Sequence, residues 1–153
     1  MNAEYSREAQ ARKAPHIRPA SETDADAIRQ MVLAEHLDPT SLKWQNFLVA
    51  EHEGKIVGIG QVKPLPGCQE LGSLVVLPEY RRQGIAAALI TALQARAGRP
   101  LYLFCPDTMA QYYQRFGYER IGYWNAPWFL KLKMLIPMMF RIFGIRIVIM
   151  RKD

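Results

Sequence analysis

The sequence predicts a mixed fold of the α/β or α+β class, built as one domain. The chain has 153 residues, half of them apolar and 22% charged, which is ordinary globular composition. Strand-like and helix-like segments follow one another in the order β-α-β-β-β-α-β-α-β. An early hairpin followed by β-α-β units predicts a sheet of mixed strand direction.

The first half of the chain is predicted to form a strand, a helix and a hairpin. A short strand over 16–20 precedes a helix over 21–37, whose first turn is rich in acidic residues. Residues 47–65 are two β-rich runs separated by the turn residues Glu53-Gly54, so they predict a hairpin.

The second half alternates strands with helices and ends on a strand. An alanine-rich helix stops before Pro100, which cannot continue it. Residues 145–153 alternate isoleucine with other side chains, which suits a final strand. The intervening elements are a strand over 69–78, a helix over 84–98, a strand over 101–105, a helix over 107–117 and a strand from 118.

Charge and cysteine content narrow the class of protein. The formal net charge is +6, but residues 127–153 hold six bases and one acid, and residues 1–126 have a net charge of only +1. A uniformly basic nucleic-acid-binding protein would not divide its charge in this way, so no nucleic-acid partner is expected. Cys68 and Cys105 fit neither a disulfide framework nor metal-ligand spacing, so we expect a cytoplasmic protein without a metal.

The two ends of the chain differ from its middle. Residues 1–14 lack a signal-peptide apolar core and are interpreted as a flexible leader, with the single domain over 15–153. Residues 125–144 form an apolar, basic insertion before the last strand, and Pro137 should break or kink any helix within it. Charges interrupt its apolar runs well before about 18 residues, so no transmembrane helix is predicted.

Four roles stay open for this insertion. It can pack against the domain's own sheet, or cover an acceptor site that Trp124, Trp128 and Phe129 would shape. It can also form a homodimer surface, or lie on an anionic membrane as a basic amphipathic segment.

Residues 81–87, Arg-Arg-Gln-Gly-Ile-Ala-Ala, form a candidate phosphate-binding loop between a predicted strand and a predicted helix. Gly84 permits backbone conformations that a side chain would block. Amides at a helix start carry partial positive charge and bind pyrophosphate, and Arg81 and Arg82 would add cationic steering. The segment alone is equally compatible with a glycine-containing turn that carries two surface arginines.

Two segments together resemble the GNAT superfamily of N-acetyltransferases. The stretch ELGSLVVLPEYRRQGIAAALI resembles its coenzyme A motif, Arg/Gln-x-x-Gly-x-Gly/Ala, at Arg81, Gly84 and Ala86. The stretch Tyr113-Gln-Arg-Phe-Gly117-Tyr118 resembles the second family segment. The resemblance covers roughly residues 16–123 and implies a mostly antiparallel sheet of about six or seven strands, with helices on both faces and one splayed parallel strand pair.

The resemblance also implies a reaction. Acetyl-CoA would be the cosubstrate, and a primary amine on a small molecule or a peptide would attack it directly in a ternary complex. The splayed strands would be 70–77 and 101–105. The cofactor-binding residues that the resemblance implies are Leu74, Val75, Val76, Arg81, Arg82, Gln83, Gly84, Ile85, Ala86, Ala87 and Tyr113.

Two catalytic residues follow from the same resemblance. Tyr113 would protonate the departing thiolate, or else it is a half-buried aromatic that packs its helix on the sheet. Glu70 resembles the catalytic glutamate of histone-acetylating members, or else it is a solvated carboxylate at a strand end. A non-catalytic acyl-CoA sensor and a peripheral membrane or assembly module stay open as alternative functions on this fold.

Overall fold

The computed structural model describes residues 14–139 and 144–153, so the predicted leader over 1–14 lies outside the described residues except for Ala14. The strands are β1 (His16–Pro19), β2 (Phe47–His52), β3 (Lys55–Leu65), β4 (Cys68–Val76), β5 (Leu101–Pro106), β6 (Glu119–Ile121) and β7 (Ile147–Lys152). The α-helices are α1 (Ala25–Ala34), α2 (Ile85–Arg96), α3 (Ala110–Gln114) and α4 (Trp128–Met139).

The strands form a seven-stranded sheet in the order β1-β2-β3-β4-β5-β7-β6. The pairs β1–β2, β2–β3, β5–β7 and β6–β7 are antiparallel, and β4 and β5 are parallel. Helices flank this sheet. The predicted fold, mixed α/β with a mostly antiparallel sheet and one parallel pair, is therefore confirmed.

The parallel pair is short. Its ladder joins Gln69 to Leu101 and Glu70 to Tyr102, after which β5 continues to Pro106 beside β7. Ser73 then takes a left-handed backbone conformation (φ 49°), which is unusual for a residue other than glycine. The amide Nε2 of buried Gln61 donates a 2.9 Å hydrogen bond to Ser73 Oγ and so supports this irregular point of β4.

The chain divides into two compact units, and β3 and β4 contribute residues to both. The described residues of the first unit are 14–61 and 73–93, and those of the second are 62–72, 94–139 and 144–153. Each unit has its own apolar cluster.

In the first unit, α1 buries one face against the strands. Ile28, Met31 and Val32 recur at helical spacing and pack with Phe47 and Val49 of β2. The start of α1 is held by Arg18, which pairs with both Asp24 and Glu51.

In the second unit, α4 packs on the strands through its buried side. Leu130 is fully buried against Tyr102 and Ile149, and Met134 lies at the edge of the same cluster. The helix continues past Pro137 to Met139, because a proline in the last turn removes only one late hydrogen bond. No helix among the described residues is both long enough and apolar enough to span a bilayer.

Candidate active site

In the first unit, a tight turn leads from β4 into the loop over 81–87. The Leu77 N–H donates to the Val57 carbonyl at 2.9 Å, which fixes the end of β4 to β3. A 3₁₀ turn over Pro78–Tyr80 follows, with the Tyr80 N–H bound to the Leu77 carbonyl at 2.9 Å. The loop therefore starts from a backbone that is well fixed by hydrogen bonds.

Arg81 links this loop to its surroundings. Its Nε donates to the Val76 carbonyl at 3.0 Å, and its guanidinium forms a 2.8 Å ion pair with Glu35, which follows α1. The first arginine of the motif is therefore held by two contacts within this unit.

The loop backbone has the properties of an anion site. Arg82 (φ 61°) and Gly84 (φ 80°) both take left-handed conformations, which turn backbone amides outward. The Ala88 N–H donates to the Gly84 carbonyl at 3.0 Å, so the amides of the first turn before it have no acceptor within the helix. Among the described residues, no neighbouring heavy atom lies within 4 Å of the position that a Cβ on Gly84 would occupy. The space beside the turn is therefore open.

Two glycines of β3 place α2, and with it the loop. A Cβ on Gly58 would lie 3.0 Å from Ile85 Cγ2 and 3.2 Å from Leu89 Cδ1. A Cβ on Gly60 would lie 2.8 Å from Leu93 Cδ1. Glycine at both positions lets the helix approach the strand closely, so these residues help to position α2.

Glu70 is a buried carboxylate in the second unit. It is only 5% exposed, so it is not the solvated strand-end carboxylate that the sequence also allowed. Its Oε2 accepts a 2.6 Å hydrogen bond from Lys133 Nζ, in an ion pair between β4 and α4. Lys133 Nζ also lies 5.6 Å from the centre of the Phe104 ring, close enough for a cation–π contact.

A second lysine is buried in the same unit. Lys63 of β3 is 3% exposed. A Cβ built on Gly72 would lie 3.5 Å from Glu70 Oε1 and 3.8 Å from Lys63 Cε. The side chains of Glu70 and Lys63 therefore both lie beside the position that a Gly72 side chain would occupy.

Tyr113, on α3 in the second unit, is half-buried among aromatic rings. Its ring centre lies 5.5 Å from that of Tyr112 and 6.1 Å from that of Tyr118, both in edge-on geometry. Burial, more than the neighbouring Cys105, Tyr112 and Tyr118, raises the pKa of the Tyr113 phenol well above its usual value. The phenol therefore keeps its proton at neutral pH, as a proton donor must.

The two cysteines are poor nucleophiles. Both are free thiols. Burial raises the pKa of Cys105 to about 11, and burial together with the charge of Glu70 raises the pKa of Cys68. Because a thiolate is the reactive form, neither residue is suited to carry an acetyl group.

The structure thus distributes the predicted site residues over the two units. Leu74, Val75, Val76 and the loop over 81–87 belong to the first, and Glu70 and Tyr113 belong to the second. Within the described parts of the chain, no three His, Cys, Asp or Glu side chains are grouped so that they could hold a metal ion.

A separate groove of about 640 Å³ runs beside β6 and β7 in the second unit. Its wall is apolar and aromatic, with two arginines, and neither Glu70 nor Tyr113 lines it. The lining residues are Arg120, Ile121, Gly122, Tyr123, Trp124, Met134, Leu135, Arg146, Ile147, Val148 and Ile149.

Sequence reasoning missed several of these residues. Gln61 and Lys63 are polar residues two positions apart in a β-rich run, and both are buried. That pattern is the signal that could have found them, because lysine is rarely buried inside a strand unless it is paired. Lys133 gave no such signal, since lysines on a helix are usually solvated.

Comparison with family profiles gives a match. A family profile described as the acetyltransferase (GNAT) domain matches residues 43–120. No curated protein sequence matched significantly.

Solved structures share the fold. Rv2747 from Mycobacterium tuberculosis, in complex with CoA and NLQ, is 20% identical with a TM-score of 0.72, over 90% of this chain and 98% of that one. N-acetylglutamate synthase from Neisseria gonorrhoeae, complexed with coenzyme A and N-acetyl-glutamate, is 18% identical with a TM-score of 0.70, over 90% of this chain but 34% of that one. This chain therefore matches about a third of the synthase.

A third structure shares a higher identity over a shorter stretch. It is a GNAT family acetyltransferase from Brucella melitensis, in complex with acetyl-CoA. It is 27% identical with a TM-score of 0.55, over 70% of this chain and 84% of that one.

Proposed function

The chain belongs to the GNAT acetyltransferase family, and from that premise we propose that it transfers an acetyl group from acetyl-CoA to a primary amine. The observation that carries the proposal is the open turn at Gly84, with left-handed backbone and first-turn amides that have no acceptor within the helix. Such a turn suits a diphosphate. The complexes of related folds with CoA or acetyl-CoA support the same cosubstrate for this chain, and the complex with N-acetyl-glutamate supports a small-molecule acceptor.

The cosubstrate is held mainly by backbone. The amides of residues 82–87 bind the diphosphate, with Arg82 contributing charge. The backbone of Leu74, Val75 and Val76 pairs with the pantetheine arm. The Leu74 N–H donates to the thioester carbonyl as this oxygen gains negative charge in the transition state.

Proton transfers at two residues complete the reaction. Glu70 accepts a proton from the acceptor's ammonium group, and the free amine nitrogen attacks the thioester carbonyl carbon. The carbon–sulfur bond breaks, and Tyr113 donates its proton to the departing thiolate. The nitrogen's second proton returns to Tyr113 as the amide forms, so the products are the acetylated amine, CoA and one proton released through Glu70.

Binding is tested by a matched pair of glycine variants. Gly84→Ala and Gly54→Ala both place a side chain on a left-handed residue with open space around it, so both should cost about 1 kcal/mol of stability. We expect acetyl-CoA to raise the thermal midpoint of the wild type and of Gly54→Ala, and to raise that of Gly84→Ala much less. Equal shifts of the thermal midpoint for both variants would show that the loop at Gly84 does not bind acetyl-CoA.

Turnover is tested by thiol release with an amine panel. Tyr113→Phe should lower kcat about 10²-fold or more while acetyl-CoA still binds, because only the proton donor is lost. Tyr112→Phe is the control on the same helix and should leave kcat unchanged. Normal acetyl-CoA binding without release for any amine, in the wild type as in Tyr113→Phe, would instead favour a sensor.

A further inference from the structure

The second unit buries opposite charges beside one glycine. Lys63 and Glu70 are almost completely buried, and Lys133 is paired with Glu70 at 2.6 Å. Charged side chains leave water at a cost, and apolar residues of similar volume usually stabilise a core at least as well. Packing alone therefore gives no reason to keep Lys63 and Glu70 at these buried positions.

The arrangement fits a ligand that carries both charges. An α-amino acid presents an ammonium and a carboxylate on adjacent atoms. Glu70 can bind the ammonium group and the lysines the carboxylate, and paired contacts of this kind fix a small ligand's orientation. An acceptor with several positive charges would instead meet the lysines and be repelled.

We propose that Lys63 and Lys133 bind the carboxylate of the acceptor, and that the acceptor is an α-amino acid. This inference rests on the proposed function, because it uses Glu70 as the group that takes the proton from the amine. The ligand's carboxylate takes over lysine contacts that Glu70 and other protein groups hold in the free protein. Glu70 is thereby released toward the ammonium group.

Gly72 leaves the position beside Glu70 and Lys63 without a side chain. Because a Cβ here would come within 4 Å of both Glu70 Oε1 and Lys63 Cε, a methyl group would fill the space that both groups border. Gly72→Ala should therefore weaken acceptor binding. Gly122→Ala, in the same unit, is the control, since its Cβ would meet only Asn125 Nδ2 at 3.9 Å.

The first experiment compares each amino acid with its own carboxamide, which lacks the negative charge. Thiol release from acetyl-CoA is measured for the twenty common amino acids and for the matching amides. We expect at least one amino acid to exceed its amide at least 30-fold in kcat/KM. Equal rates for every acid and its amide would overturn the inference while leaving acetyl transfer intact.

The second experiment tests whether Lys63 causes the preference for an amino acid over its carboxamide. Lys63→Met should raise KM for the preferred amino acid about 30-fold or more, with little change in KM for acetyl-CoA or in the rate with the amide. Lys63→Arg should recover part of the affinity, since it restores the charge. Loss of rate with acid and amide alike in a variant that still binds acetyl-CoA would contradict a carboxylate-binding role.

A binding measurement separates this inference from the proposed function. Isothermal titration of amino acids onto the CoA-loaded protein does not depend on turnover. Binding that Gly72→Ala weakens and Gly122→Ala leaves intact, without acetyl transfer, would support the site and contradict the enzyme. Acetylation of other amines without any amino-acid binding would support the enzyme and overturn the site.

Discussion

Asp24 is the residue whose ionisation should govern stability in acid. Its carboxylate accepts hydrogen bonds from Arg18 at 2.8 and 3.2 Å and from the Ser21 amide at 2.7 Å. Arg18 is the main reason that the Asp24 pKa falls from 3.8 to about 2. Because the folded pKa lies below the unfolded one, this stabilisation is complete above about pH 4 and is lost as the pH falls toward about 2.

We therefore expect Asp24→Asn to lower the free energy of unfolding by about 1–2 kcal/mol at pH 7. The difference between variant and wild type should shrink as the pH falls from about 4 to about 2, which urea unfolding at several pH values would measure. Asp26→Asn, at an exposed position of α1, is the control and should change little. An equal loss in both variants would show that the Arg18 pair is not the cause.

At the scale of single residues, the sequence could locate those that belong to short motifs. Gly84 and Tyr113 stand in such motifs, and the structure gives Gly84 the left-handed conformation that its residue type suggests. The pairing of Glu70 with Lys133 could not be predicted, because the two residues are 63 positions apart. Their contact depends on how α4 returns to β4, and no local pattern encodes that.

At the scale of elements, the close contact between β3 and α2 should make the first unit sensitive to an added methyl group. Ile85 is β-branched and stiff, so its Cγ2 cannot easily move away from a new Cβ 3.0 Å distant. We expect Gly58→Ala to cost about 1–2 kcal/mol of stability and to weaken acetyl-CoA binding by displacing the start of α2. Chemical unfolding and titration with acetyl-CoA would measure the two effects.

A double variant tests the stated cause. Ile85→Ala removes the Cγ2 atom, so combining it with Gly58→Ala should cost clearly less than the two single changes added together. Gly98→Ala serves as the control for an added methyl group, since its Cβ would lie 3.5 Å from Gln69 Oε1. Additive costs would mean that Ile85 is not the residue that Gly58 accommodates.

Element boundaries were predictable where periodicity and stop signals agree. The helix expected over 84–98 is α2, Ile85–Arg96, because alanine-rich periodicity ends before Pro100. The helix expected over 107–117 is a 3₁₀ turn over Asp107–Met109 followed by the short α3. Pro137 predicts a break or kink in the insertion, yet α4 continues to Met139, because a proline in the last turn removes only one late hydrogen bond.

At the scale of the whole molecule, the order of elements predicted a sheet of mixed strand direction. The mostly antiparallel sheet with one parallel pair followed from the family resemblance. Net charge adds a kinetic expectation at the same scale. A chain with a formal charge of +6 should attract the anionic cosubstrate from a distance, and such steering weakens as salt screens it. The association rate constant for acetyl-CoA should therefore fall several-fold between roughly 20 and 200 mM salt, with a smaller change in the dissociation rate.

Arg82 should contribute more to this steering than its single charge would at a random position. It lies in the loop that is proposed to hold the diphosphate, whereas Arg81 is already paired with Glu35. Stopped-flow association should be slower for Arg82→Gln and less dependent on salt. Arg29→Gln removes the same charge from an exposed position of α1 and should change the rate only slightly. Similar slowing in both variants would mean that net charge alone steers the cosubstrate, and that the loop arginine has no special part.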